Sequence, residues 1–409
     1  MKEFISFKDA FELTLSHVSP GPTEMLPLDR LVGRILADDV VARVDCPSVS
    51  TSRKDGYAVV AADLSRADER NPVRLHVLGS LSAGDRNQLE INSGQTARVT
   101  TGAPLPEGAD AVLSEEFCRQ SPDAIEAFNT AAAGRNINPR GGDIRKADPI
   151  AAKGLKLSPP RIGLLAAAGL ATAEVYQYPK VAVIATGDEV VIPGRPLRRG
   201  QLYASNMVEI CAWLAQLGLP YLNELVDDKK GDIKNAIEQH LPDVDLFLTS
   251  GGAWGSERDL ILDVVADLKW QGIYHRVRMG PGKPVGFGLL NDKPFFCLPG
   301  GPPSNEMAFL QLALPALLKM KGETPVAFPT VPAKLAQTVY GHKDWTDFVH
   351  ARLEYRQHQL CVYPARLKSA LQSMAQNEAL IIIPEDRDQF AAGEMIDIQL
   401  VTPNSFAYL

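Results

Sequence analysis

The sequence is poor in features that would place it outside a reducing, aqueous compartment. Its five cysteines, Cys46, Cys118, Cys211, Cys297 and Cys361, are scattered and never spaced as C-x-x-C, so neither a disulfide framework nor a zinc site is suggested. No apolar run approaches the roughly 20 residues needed to span a bilayer. The opening Met1-Lys2-Glu3-Phe4 lacks the basic-then-apolar build of a signal peptide. These absences lead us to expect a cytoplasmic protein with no membrane association. Concentrated positive charge is missing too: the formal net charge is −7, and the only basic clusters are short, around Arg195 to Arg199 and at Lys229 and Lys230. A phosphate backbone is normally bound by a Lys/Arg-rich surface, so nucleic acid is not expected as a partner. There is also no G-x-x-x-x-G-K-[ST], because Gly282-Lys283 is followed by Pro284 and Val277 stands where the first glycine would be. No G-x-G-x-x-G follows a strand either, which disfavours ordinary NTPase and Rossmann readings.

What is present is ordinary globular material. Hydrophobic residues at 45% and charged residues at 22% argue for a folded protein, and 409 residues are too many for one core, so two to four domains are expected. Phe7, Phe11 and Leu15 fall at four-residue intervals and predict a docking helix over 7–17. From 45 to 125 short apolar runs alternate with Gly, Pro, Asp and Asn clusters, the texture of a small β domain. A Gly- and Arg-rich stretch then leads into Ser158-Pro159-Pro160 and the run 162–173, which reads as a helix entered at prolines. From 180 onward strands and helices alternate: strands 181–186, 221–226, 245–249 and 295–298, with helices 207–217, 232–240, 259–268 and 304–321. That order predicts an α/β unit whose central, mostly parallel sheet is flanked by helices. Pro315 is expected to kink the last helix. Beyond Gly322 alternating strands return at 349–353, 360–363, 380–384 and 395–401, predicting a second small β domain.

In an open parallel sheet, ligands bind beyond the carboxyl ends of the strands. Three such ends carry unusual loops: Thr186-Gly187-Asp188-Glu189, Thr249-Ser250-Gly251-Gly252 and Leu298-Pro299-Gly300-Gly301. Glycines there let backbone N–H groups approach an anion while the following helix adds a positive dipole end. One such loop is more often a plain tight turn; three at one sheet edge suggest a phosphate cradle. The acids Glu189, Asp228 and Asp259 sit near strand ends or helix starts, where carboxylates beside a phosphate commonly hold Mg2+. Each alone also reads as a helix-capping acid. Lys283, in Pro281-Gly282-Lys283-Pro284, offers a point charge to an oxyanion on a proline-stiffened loop.

At this point the motifs resemble a known family, the molybdenum insertases (MoeA-like, molybdopterin molybdenumtransferase), which also supply the C-terminal domain of gephyrin. The resemblance runs in order through Asp55-Gly56-Tyr57-Ala58-Val59, Thr101-Gly102-Ala103-Pro104, Gly141-Gly142-Asp143, Thr186-Gly187-Asp188-Glu189 and Ser205-Asn206. It continues through Ser250-Gly251-Gly252, Pro281-Gly282-Lys283-Pro284, Leu298-Pro299-Gly300 and Ser373-Met374-Ala375. It implies a multidomain, elongated subunit: a connecting domain from 18–44 and 141–170, a β domain at 45–140, an α/β molybdopterin-binding domain from 1–17 and 171–326, and a C-terminal β domain at 327–409. It implies a cytoplasmic homodimer in which the partner's first β domain completes the cleft, with molybdopterin adenylyltransferase as the upstream partner. The implied reaction inserts molybdate into adenylyl-molybdopterin, with Mg2+-dependent release of AMP.

By position, Asp55, Asp143, Glu189, Asp228, Asp259 and Lys283 match the family's catalytic residues, with Glu189, Asp228 and Asp259 on the metal. Thr101, Ser250, Gly251, Gly252, Pro299, Gly300 and Ser373 match ligand-binding positions. Four positions depart from the family pattern: Gly142 replaces an acid, Gly280 a basic residue, Gly301 an Asn and His350 an Arg. Arg278 and Arg352 are candidates to supply the missing positive charge. Trp254 either stacks on the pterin or adenine or fills a gap. A catalytically impaired paralogue that binds or delivers molybdopterin stays open as the alternative.

Overall fold

The computed structural model of the protein describes residues 1–251, 260–356, 358–365 and 368–401. The chain forms two compact units, one of Met1–Thr23 with Tyr176–Leu409, the other of Glu24–Val175.

The first unit is built on a long mixed sheet. Strands Tyr221–Val226, Val181–Thr186, Leu246–Ser250 and Lys293–Leu298 lie side by side in that order, all parallel. Val181–Thr186 and Leu246–Ser250 are buried along their whole length, as expected of strands covered by helices on both faces. One apolar layer packs helix Ser205–Gln216 and the segment 302–320 against the sheet through Met207, Ile210, Leu214, Phe309 and Leu317. The other packs helices Lys230–His240 and Leu260–Asp267 through Ile233, Ile237, Ile261 and Val265.

Beyond Lys293–Leu298 the sheet continues through Gly286–Leu290 and Gln271–Gly280, both antiparallel to their predecessors. The N-terminal strand Lys2–Ser6 runs parallel to Gln271–Gly280. Past it, Met279 and Gly280 pair with Thr346 and Asp347, which carries the sheet into the strands of 330–400. Those strands close a separate apolar layer around Leu335, Val362, Ile381 and Ile398.

The helix at Phe7–Ser16 is capped by Ser6, whose Oγ accepts from the Asp9 N–H at 2.9 Å. Its most buried residues are Ala10 and Thr14, with Phe7 and Phe11 on the flanks. The last long helix is not simply kinked. It runs as Pro302–Ala308, a π-helical segment Phe309–Ala313, and Leu314–Met320. A wider turn just before Pro315 relieves the clash its ring would make with the carbonyl four residues back.

The second unit holds a six-stranded sheet of Ala111–Ser114, Gly56–Val59, Gln95–Val99, Val73–Leu81, Ala124–Ala127 and Cys118–Ser121, in that order. Here one expectation is corrected. The run read as a helix over 162–173 is helical only at Pro159–Ala167, and Thr172–Tyr176 is a strand. Gly169, at φ +85°, stops the helix, and the Leu170 N–H returns to the Leu165 carbonyl at 3.1 Å. Among the described residues no helix is long and apolar enough to cross a membrane.

Candidate functional site

Register decides where the glycine loops meet. Thr186 pairs with Val226, Ala185 with Ser250, and Ser250 with Leu298, so four parallel strands end within about a residue of one level. The loops that follow are in contact. Gly251 has φ +103°, and a Cβ on it would lie 2.8 Å from the Thr186 carbonyl oxygen. Its N–H donates to the Leu298 carbonyl at 3.3 Å, and the Cβ position of Gly300 lies 3.7 Å from the Gly251 Cα. The absent side chain at Gly251 is therefore what permits this approach.

Two asparagines tie the Ser250 loop to the Pro299-Gly300 loop. The Asn206 amide donates to the Gly300 carbonyl at 2.8 Å and to Ser250 Oγ at 3.3 Å. The buried Asn305 amide donates to the Pro299 carbonyl at 2.7 Å and to the same Oγ at 3.1 Å. Ser250 Oγ thus accepts twice, which leaves its O–H as a donor. The three loops and the start of helix Ser205–Gln216 enclose a cavity of about 490 Å³. Thr186, Glu189, Asn206, Ser250, Gly251 and Gly300 form its polar part; Val190, Leu202, Met207, Pro302 and Leu371 form its apolar part. A few convergent polar groups within an apolar wall make the usual composition of a small-molecule site.

The remaining candidate positions are distributed as follows. Asp228 lies two residues beyond its strand, and its N–H donates to Asp188 Oδ1 at 3.2 Å, which brings it beside the Glu189 loop. Gly252, Trp254 and Asp259 lie outside the described residues. Among the described residues no three acids, histidines or cysteines are grouped to hold a metal. Ser373 is buried, and its Oγ donates to the Ser369 carbonyl at 3.2 Å; Leu371 of the same short helix reaches the cavity. Arg278 donates to the Asp344 carbonyl at 3.0 Å and the Phe4 carbonyl at 3.4 Å and pairs with Glu385. Lys283 lies over the rings of Phe4 and Trp345. Arg352 is exposed on strand Thr346–Arg356.

In the second unit Asp55 and Thr101 are brought together. Asp55 Oδ1 accepts from the Thr101 N–H at 2.7 Å and from its hydroxyl at 3.0 Å, and these bonds hold the carboxyl below its ordinary value. Asp143 accepts from the Asn138 amide at 3.1 Å. The Asn138 Oδ1 accepts in turn from Arg53, two residues before Asp55.

The four departures have different surroundings. A Cβ on Gly142 would lie 2.6 Å from Asn138 Oδ1, and one on Gly280 would collide with Asp347 Oδ1. Gly301 faces open space. His350 Nε2 lies 2.6 Å from the buried Glu306 carboxylate. Glu306 in turn touches Glu209: burial, and then the neighbouring Glu306 charge, push the Glu209 carboxyl up to about 8. Sequence reasoning missed Glu209, Glu306 and Asn305. Only Asn206 left a trace, inside the Ser205-Asn206 motif.

Comparison with known proteins agrees with this geometry. Residues 5–169 match the model of the MoeA N-terminal region (domain I and II). Residues 182–319 match a probable molybdopterin binding domain, and 332–401 the MoeA C-terminal region (domain IV). A molybdopterin molybdenumtransferase of Synechococcus elongatus is 31% identical, covering 97% of this chain and 99% of its own. One from Haemophilus influenzae is 30% identical over 93% and 94%. A crystal structure of the molybdopterin biosynthesis MoeA protein from Pyrococcus horikoshii superposes with a TM-score of 0.86 at 32% identity, covering 97% of this chain and 99% of that one. Similarity of that extent, spanning both units, shows that this chain belongs to the MoeA family.

Proposed function

We infer that the protein is a molybdopterin molybdenumtransferase acting in molybdenum cofactor biosynthesis, and that it inserts molybdate into adenylyl-molybdopterin with Mg2+-dependent release of AMP. The observation that carries this reading is the joining of the Ser250 and Pro299-Gly300 loops by Asn206 and Asn305, with the Thr186 loop closed against Gly251, around one cavity. The Ser250 hydroxyl and the loop N–H groups suit the phosphate end of such a ligand, and the apolar wall suits its ring.

Carboxylates are the usual donors to a hard cation. In this reading Glu189 and Asp228, which follow adjacent strands, and Asp259 would be the residues that hold Mg2+. When bound, Mg2+ would offset charge on the phosphate oxygens. The chain's own part is to bind and orient. Asn206 and Asn305 fix Ser250, and Lys283 supplies positive charge to anions that the chain's overall negative charge would repel. Asp55, Thr101, Asp143 and Ser373 are assigned to the same machinery by their place in the family motifs. A cytoplasmic homodimer of four-domain subunits, supplied by an adenylyltransferase, completes the reading.

The test is turnover. Purified protein with adenylyl-molybdopterin, molybdate and Mg2+ should release AMP and yield cofactor that activates an apo-molybdoenzyme. Glu189→Gln and Asp228→Asn should each slow AMP release by at least 10-fold, a conservative figure for loss of a metal ligand. Production of neither AMP nor active cofactor would sink the assignment. The alternative, a carrier without turnover, is motivated by the acidic and basic residues that Gly142 and Gly280 replace. In that case Asp259→Asn would change neither AMP formation, already absent, nor pterin binding.

A further inference from the structure

Lys283 stands in a specific place, and the sheet register gives it. Cys297 pairs with Gly286 and Gly286 with His275, so these three residues are level across three strands. Two residues further on, the Val277 N–H donates to the Lys283 carbonyl at 2.9 Å. Pro299 is likewise two residues beyond Cys297. Lys283, on the Gly286–Leu290 side of that pair, is therefore level with the Pro299-Gly300 loop and one strand across from it, roughly 5 Å away along the backbone at the usual strand spacing. A long side chain on that turn can reach toward the cavity or away from it, and four rotatable bonds leave the choice open unless something fixes it.

Two aromatic rings fix it. The Lys283 ammonium lies 5.4 Å from the ring centroid of Phe4 and 5.6 Å from that of Trp345, both within cation–π range. The rings meet edge to face, 5.7 Å apart at 72°. They come from opposite ends of the unit and are held by one residue. Arg278, on the strand that leads into the Lys283 turn, donates to the Phe4 carbonyl and to the Asp344 carbonyl next to Trp345. Its remaining partner, Glu385, also accepts from the Phe7 N–H at 2.9 Å, which ties down the end of the N-terminal strand. Phe4 itself has φ +53°, a conformation L-residues adopt only where the surroundings impose it.

We propose that Phe4 and Trp345 are positioning residues for Lys283, an aromatic clamp stapled by Arg278 that holds the ammonium at one place on the ligand-binding edge of the sheet. The proposal rests on the reading of Lys283 as the cation that meets the anionic substrates, and adds what orients it. It also gives Arg278 a role as the staple.

The test uses the full chain. In Trp345→Leu the ring is lost and an apolar side chain is kept; KM for molybdate should rise about 3- to 10-fold with kcat changed less, and Trp345→Phe should restore most of the loss. Phe4→Leu should act in the same direction. A second readout looks at the lysine directly. After reductive 13C-methylation, the Lys283 signal, identified by its absence in Lys283→Arg, should be displaced upfield by the rings and should return toward the position of exposed lysines in Trp345→Leu. An undisplaced signal, or a Trp345→Leu enzyme with unchanged KM beside a Lys283→Met enzyme that is impaired, overturns the clamp and leaves the function standing. If Lys283→Met turns over normally, the role of Lys283 falls and the clamp's purpose falls with it.

Discussion

Replacing Glu209 by Gln should change how stability depends on pH, and the structure gives the sign. The carboxyl is half-buried on helix Ser205–Gln216 and shares a hydrogen bond with the Glu306 carboxylate, which also lies against His350. Burial first, and Glu306 second, push it from 4.5 up to about 8. A carboxyl raised in the folded state does not weaken the fold below its unfolded value, where both states are protonated. Between that value and about 8 the unfolded chain ionises and the folded one does not, so stability falls as pH rises. At ~1.4 kcal/mol per pH unit the ceiling is ~5 kcal/mol, and coupling to Glu306 with partial solvent access cuts this to ~2 kcal/mol. Glutamine keeps the shape and a donor for Glu306 but cannot ionise. In calorimetric melts the variant should match the parent near pH 5 and exceed it near pH 8 by about 4–8 °C in the transition of the unit that holds it. A difference between the two proteins that stays constant across that range, or grows toward low pH, would refute the reasoning.

Gly251→Ala should destabilise by about 1–3 kcal/mol and impair turnover, because φ +103° and the Thr186 carbonyl both oppose a Cβ, whereas Gly301→Asn faces open space and should fold normally; thermal melts and AMP release compare them. Thr14→Val removes the partner, at 2.7 Å, of the buried Tyr274 hydroxyl and should cost about 1–3 kcal/mol in denaturant titration, while a change under ~0.5 kcal/mol would mean the hydroxyl finds another partner. Asp55 should titrate below an ordinary aspartate in carboxyl NMR, lending stability above that range that is lost as pH falls; Thr101→Val keeps the N–H bond and should move the titration only part of the way back.

The inner parallel strands were legible because burial on both faces makes Val181–Thr186 and Leu246–Ser250 short, densely apolar runs, while the edge strand Tyr221–Val226, interrupted by Asn223 and Glu224, was placed by the strand–helix alternation. The strands Gln271–Gly280 and Gly286–Leu290 were not legible. His275, Arg276 and Arg278 interrupt the first, and two glycines weaken the second; Gly288 is needed because a Cβ there would strike the Trp270 ring. Among the candidate site residues, the loops could be read from their glycines, but what joins them could not. Asn206 and Asn305 act across 44 and 55 residues of chain on Ser250, and no local pattern encodes such a bond. The same holds for the clamp on Lys283, whose cation was plain and whose aromatic walls were not.

The four departures from the family pattern divide by environment, and the division bears on function. At Gly280 the space a basic side chain would need is filled by Asp347, whose carboxylate accepts from the His342 N–H and faces its ring. A cation there would have to displace that acid, so the loss belongs to a rearranged corner. Gly142 is similar, with Asn138 and the Pro139 carbonyl closing on it, and Asn138 is the residue that donates to Asp143. Packing of that kind preserves the position of the neighbouring acid even as the extra one is lost. His350 is bound to the buried Glu306 carboxylate, one residue from Asn305, so it acts on the element that supports Ser250. Two of the four positions, Gly142 and His350, thus adjoin groups that hold proposed site residues or their supports in place. That pattern favours a site kept in working geometry with a different distribution of charge, and it predicts a shifted affinity for the anionic substrates ahead of a lost reaction.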